Sequence, residues 1–175
     1  MRRPPAGVGL RVETQYIARR PWMPAPAAVR RWAAAADAAA RPRTGRTLRG
    51  AAPRVATVCV RIVGERASRR LNRDYRGRDR PTNVLSFPSS ATERTLTGAL
   101  GDLVICAAVV AAEARAQHKA PAAHWAHMVV HGVLHLHGHD HESPREARAM
   151  EGLEVEILCG FGYQNPYRPD MLRNT

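Results

Sequence analysis

The residues best suited to chemistry lie in one run, His131-Gly132-Val133-Leu134-His135-Leu136-His137-Gly138-His139-Asp140-His141. Val129, Val130, Val133, Leu134 and Leu136 predict an apolar helix that ends at Gly138. Residues four apart stand about 40° from each other around a helix, so the imidazoles of His131 and His135 leave one face and can grip one ion. His141 would lie about 15 Å further along a continuous helix, so it reaches the same ion only if the chain turns out first. Gly138 stands where that turn is needed, because glycine takes left-handed backbone angles without steric cost. Three histidines without an obvious fourth ligand describe an open zinc site, with a water in the remaining position.

A lone histidine on an apolar helix is usually a hydrogen-bonded core or surface residue. Three in H-x3-H-x5-H spacing with a glycine at the break point instead to a metal. All 8 histidines lie between His118 and His141. His127, one turn before His131, competes for the same face, whereas His137 and His139 flank the turn and read as exposed. The run is close to the long zinc-protease signature H-E-x-x-H-x-x-G-x-x-H, whose glutamate is the general base. Gly132 occupies that position here, so a peptidase would lack its proton acceptor. A metal could still activate water, since zinc lowers its pKa to about 7.

These residues need a scaffold, and 175 residues are enough for one domain with a sizeable core. No charge-free apolar run is long enough for a membrane span. The start, Met1-Arg2-Arg3-Pro4-Pro5, lacks the apolar stretch of a secretory signal. Cys59, Cys106 and Cys159 are odd in number and set among apolar residues, which predicts buried reduced thiols and a cytoplasmic setting. The net charge of +12 is divided unevenly: residues 1–80 hold 20 arginines and 5 acids, residues 81–175 hold 7 basic and 10 acidic residues. Lys119 is the only lysine, so the basic surface is guanidinium, which meets phosphate through paired hydrogen bonds. That favours a polyanion partner, nucleic acid before membrane.

In chain order, residues 8–17 read as a strand, and Pro24 and Pro26 open a helix with Val29, Trp32, Ala33, Ala36 and Ala40 on one face. An Arg-rich loop at 41–54, without an acid, could touch RNA. Residues 55–63 alternate as a strand, and Glu65 to Tyr75 form a helix with Ala67, Leu71 and Tyr75 at fourfold spacing. A basic turn then leads into a short strand ended by Pro88; 89–99 read as a polar loop, 100–106 as a buried strand and 107–118 as a helix. Pro121 starts the histidine helix. Ser143-Pro144-Arg145-Glu146 is a capping box opening a last helix with Ala147, Met150, Leu153, Ile157 and Phe161 as its stripe. The fold class is therefore α+β, a single domain over 1–175 with a small mixed sheet covered by helices, and 168–175 as a flexible tail.

Four blocks, Leu71-Asn72-Arg73-Asp74-Tyr75-Arg76, Thr82-Asn83-Val84-Leu85-Ser86-Phe87-Pro88, Leu100-Gly101-Asp102 and His131 to His141, stand in the order found in the YbeY family of zinc-dependent endoribonucleases, which this chain resembles over residues 55–167. Met150-Glu151, Glu154, Ile157-Leu158 and Pro166-Tyr167 extend the likeness. The resemblance implies one zinc ion on His131, His135 and His141, with Arg76, and His131 beside it, as the residues of catalysis. It also implies single-strand-specific cleavage of RNA in maturation of the small-subunit ribosomal RNA 3′ end and in ribosome quality control, with the ribosome or its small subunit as partner. His137 and His139 depart from the family pattern, which commonly has an apolar residue and a tyrosine there.

In that mechanism Arg76 would neutralise charge developing on a phosphate that zinc polarises. Asp140 is placed either to accept from a ligand imidazole or to cap the turn after Gly138. Asp102 reads as structural and Glu142 as a weak candidate base, so the general base stays unassigned, as does the choice between water and a ribose 2′-hydroxyl as nucleophile. Two other readings stand beside this one. A zinc peptidase is disfavoured by Gly132, and a non-catalytic ribosome-binding factor would need a fourth ligand to close a structural site, for which Cys159 is the only thiol beyond the motif.

Overall fold

Alternation in residues 55–63 becomes a central strand. β1 (Leu10–Tyr16), β2 (Ala56–Val63), β3 (Val84–Pro88) and β4 (Ala99–Cys106) form one sheet in the order β1-β2-β4-β3. β1, β2 and β4 are parallel, and β3 pairs antiparallel at the edge. The computed structural model describes residues 9–18, 22–41 and 55–167. Most of the Arg-rich loop, residues 42–54, and the tail at 168–175 lie outside the described residues.

Period-two patterning gives the sheet two apolar faces. Val58, Val60 and Ile62 of β2 join Leu103 and Ile105 of β4 in the larger core, while Val63, Leu85 and Val104 face the other way. The larger core is covered by α1 (Pro26–Ala40), α5 (Pro121–Leu136) and α6 (Pro144–Gly160). α2 (Glu65–Arg76) covers the smaller face through Ala67 and Leu71. α4 (Ala107–Ala116) leads into α5. α5 is the central piece, touching α1, α4, α6, β3 and β4. Its Val129, Val130, Val133 and Leu134 are wholly out of solvent, and each such burial stabilises by about 1.5–3 kcal/mol. No described helix is long and apolar enough to cross a membrane.

The expected order of elements is found with one addition. Residues 89–99, read as a loop, contain a short helix, α3 (Ala91–Thr97). It buries no side chain, so it has no hydrophobic period; only its cap marks it, with Ser90 Oγ accepting from the Glu93 N–H at 3.2 Å. The fourfold row of α2 is not buried along its whole length. Tyr75 is 68% exposed, edge-on to Phe87, and the buried residues are Ser68 and Asn72. Both are committed to the next loop: Ser68 Oγ donates to Thr82 O (2.9 Å) and accepts from Thr82 N (3.0 Å), and Asn72 donates to Arg80 O (2.7 Å). Of the free cysteines only Cys106 is buried; Cys59 is half-buried and Cys159 exposed on the outer side of the last turn of α6. The capping box of α6 is formed as expected, by Ser143 and Glu146.

Candidate metal centre

α5 presents His131 and His135 on one face with ring centroids 4.6 Å apart and the two Nε2 atoms 3.1 Å apart. The helix stops at Leu136, and Gly138 takes a left-handed φ of 85°. The chain doubles back there, and His141 comes to 5.1 Å from His135 and 5.8 Å from His131, centroid to centroid. One ligand-capable atom from each of the three lies within 4.8 Å of the others. Arg94 of α3 fastens this end of the helix, its guanidinium donating to Leu136 O at 2.7 Å.

The donor set suits a zinc ion. Two nitrogens each about 2.0–2.1 Å from a tetrahedral zinc stand about 3.3–3.4 Å from each other, close to the separation of His131 and His135. Imidazole binds metal in its neutral form. Burial, followed by the neighbouring His131 and His141, pushes the pKa of His135 down to about 4, so its ring is neutral near pH 7. Among the described residues no fourth His, Cys, Asp or Glu joins the three, and exposed Cys159 is not part of the group. A set of three protein ligands leaves a position open for water, the pattern that catalytic zinc sites share.

Gly132 has a packing role as well. A Cβ there would sit 2.8 Å from Leu103 Cδ2 and 3.4 Å from Val84 Cγ2, so the missing side chain lets α5 lie close on β3 and β4. Its carbonyl also accepts from Ser86 Oγ at 3.3 Å. The wall at Gly132 therefore has no room for the glutamate of the protease signature.

The three histidines open onto a cavity of about 660 Å³ that Arg76, Arg78 and Ser86 also line. Arg76 arrives there as the last residue of α2, and the turn beyond it is pinned by Ser68, Asn72 and the Arg69–Asp79 ion pair at 2.6 Å. Asp140 and Glu142 line the same cavity. The Asp140 carboxylate accepts the His141 backbone N–H at 2.8 Å, the turn-capping alternative. Asp102 lies on the exposed side of β4, away from this cavity.

The other histidines have separate partners. His124 faces Glu113 (2.8 Å), and His137 and His139, read as exposed, are both half-buried, His137 lying 3.0 Å from Asp37 of α1, a residue only 3% exposed. Burial would raise the Asp37 pKa, but hydrogen bonds from His137 and Arg41 outweigh it and hold it low. His127 lies on the far side of His131, 3.3 Å from the Tyr167 hydroxyl and 3.5 Å from Glu154.

Glu154 is the residue that reading the sequence for ligands missed. It is fully buried, and its carboxylate meets His131 Nδ1 at 2.8 Å and accepts the Tyr167 hydroxyl. Burial alone would raise its pKa; hydrogen bonds from His127 and His131 win and hold it at about 2. Tyr167 responds oppositely, its phenol pushed up by burial and by the Glu154 carboxylate. The signal was available, because Glu154 follows buried Met150 by one turn and precedes buried Ile157 and Leu158. An acid on an apolar stripe needs a partner.

Comparisons with known proteins identify the family. A family model described as Endoribonuclease YbeY matches residues 37–162. An Endoribonuclease YbeY of Alkalilimnicola ehrlichii is 54% identical over 165 residues, covering 92% of this chain and 93% of that one. A protein of the same name from Aromatoleum aromaticum is 51% identical over 144 residues, covering 82% and 81%. The solution structure of TM1509 from Thermotoga maritima shares the fold at a TM-score of 0.53 and 21% identity, covering 91% of this chain and 99% of that one. With the family model spanning most of its length and relatives above half identity over more than four-fifths of it, the chain belongs to the endoribonuclease YbeY family.

Proposed function

We propose that this chain is a zinc-dependent endoribonuclease that cuts single-stranded RNA, acting in the cytoplasm on ribosomal RNA, at the 3′ end of the small-subunit species and in ribosome quality control. The observation that carries the reading is the cavity shared by an open three-histidine donor set and Arg76. His131, His135 and His141 would hold the ion, which when bound supplies Lewis acidity and lowers the pKa of water to about 7.

The chain's own residues supply the rest. Arg76 and Arg78 bring two positive charges to the cavity that the histidines line, where a phosphate would sit. A guanidinium meets phosphoryl oxygens through paired hydrogen bonds, which suits it to charge building on them. Along α2, which ends at Arg76, Arg66, Arg69, Arg70 and Arg73 line a second cavity. A flexible single strand could follow that row with its phosphates and deliver one linkage to the histidines. The scissile P–O bond breaks between two nucleotides, with water or a ribose 2′-hydroxyl as the attacking group.

Gly132 argues against a peptidase, and the three-ligand set argues against a purely structural zinc. Arg76→Ala tests the proposal through a split of effects. The variant should fold and keep its zinc, and its single-turnover cleavage rate should fall much further than its RNA affinity. One phosphate contact among many contributes little to binding. Equal losses in affinity and cleavage would reduce Arg76 to part of the general basic surface.

A further inference from the structure

His131 uses its two ring nitrogens in opposite directions. Nε2 faces His135, while Nδ1 lies 2.8 Å from a Glu154 oxygen. A neutral imidazole carries one N–H, and the hydrogen bond made by one nitrogen decides whether the other keeps its lone pair. Glu154 is suited to make that choice. It is an acceptor, it is 0% exposed and so has no water to compete for it, and its second oxygen is occupied by the Tyr167 hydroxyl. A helix–helix brace alone would not require the carboxylate to end on the nitrogen opposite the candidate metal position.

We propose that Glu154 is the positioning residue of the metal centre: it holds His131 as the Nδ1–H tautomer, so that Nε2 presents its lone pair to the ion, and Tyr167 fixes the carboxylate in turn. The inference rests on the reading of His131 as a zinc ligand. A rival geometry exists at the same place, because atoms of His127, His131 and Glu154 also lie within 4.8 Å of one another and could hold a second cation.

Three measurements separate these. Nitrogen-15 spectra of the imidazoles in metal-free wild-type protein report the tautomer without any zinc; His131 should be protonated on Nδ1, and protonation on Nε2 would overturn the proposal. Zinc affinity by competition with a chelator should fall about 10–100-fold in Glu154→Gln, the usual effect of removing such a carboxylate. Met150→Ala, on the same buried stripe of α6, gauges a merely structural effect. It should lose stability and keep wild-type zinc affinity, and an equal loss of affinity in Met150→Ala would overturn the positioning role. Zinc content should be one ion per chain, and two in the wild type with one in Glu154→Gln would replace the proposal with the second-cation reading. A wild-type protein that binds no zinc would fail the site reading itself, and this inference with it. If Glu154→Gln does not fold, the wild-type tautomer still decides.

Discussion

Gly132→Ala and Gly152→Ala are the same chemical change in two helices, and the structure predicts opposite signs. At Gly152, on the exposed side of α6, an added Cβ meets nothing within 4 Å. Replacing glycine by alanine in a helix interior then stabilises by about 0.8–1.0 kcal/mol. For a chain of this length that raises Tm by about 2–4 °C. At Gly132 the same gain in helix propensity is opposed by overpacking, since the Cβ would lie 2.8 Å from one methyl of Leu103 and 3.0 Å from the other. Leu103 is itself 0% exposed in the larger core, so its side chain has little freedom to move aside. Overpacking of this kind costs about 1–3 kcal/mol, leaving Gly132→Ala neutral to about 2 kcal/mol destabilised. Urea unfolding of the metal-free variants against wild type measures both. Equal stabilisation in the two variants would refute the claim that Gly132 is fixed by the approach of α5 to the sheet.

Other variants test neighbouring parts of the site. His135→Ala should lose most of its bound zinc by metal analysis, because two imidazoles hold the ion poorly; full retention would mean that the ligands are others. His137→Leu should keep its zinc but lose about 1–3 kcal/mol in urea unfolding, since Asp37 is left buried without one of its two partners. Unchanged stability would remove the role of that pair in tying α5 to α1. In metal-free protein, His135 has a pKa lowered from 6.5 to about 4, so the unfolded chain takes up a proton that the folded one refuses. Stability should therefore fall as pH drops from about 6.5 towards 4, and His135→Gln should flatten that decline. Glu154, held at about 2 against an ordinary 4.5, starts to lose its contribution only as pH falls below about 5 and loses the rest towards 2, so it overlaps just the acid end of that window. A decline unchanged in His135→Gln would assign it to other groups.

What could be read from the sequence was what repeats or punctuates. The 3.6-residue period of α5, the break at Gly138 and the Ser143–Glu146 capping box gave the helices that carry His131, His135 and Glu154. The turn that returns His141 followed from spacing alone. What stayed hidden depended on contacts between segments far apart in the chain. His137 meets Asp37 across 100 residues, and His131 meets Glu154 across 23. In both cases one visible trace was an acid on an otherwise apolar helix face. α3 escaped because an exposed helix has no apolar period, although its Ser90–Glu93 cap was in view. Fourfold spacing groups Tyr75 with Ala67 and Leu71 but does not say where a helix leaves the sheet, and at the end of α2 the ring lies against Phe87 in the open.

The central claim is that the three-histidine centre and the RNA-cleaving activity are one site. The most direct measurement is single-turnover cleavage of a structured RNA by protein whose zinc has been counted, first as purified, then after removal of the metal by chelator, then after adding back one equivalent of zinc. The predicted result is one zinc per chain, cleavage lost on chelation and restored by the single equivalent, with His135→Ala inactive throughout. Undiminished cleavage by protein shown to be free of metal would contradict it.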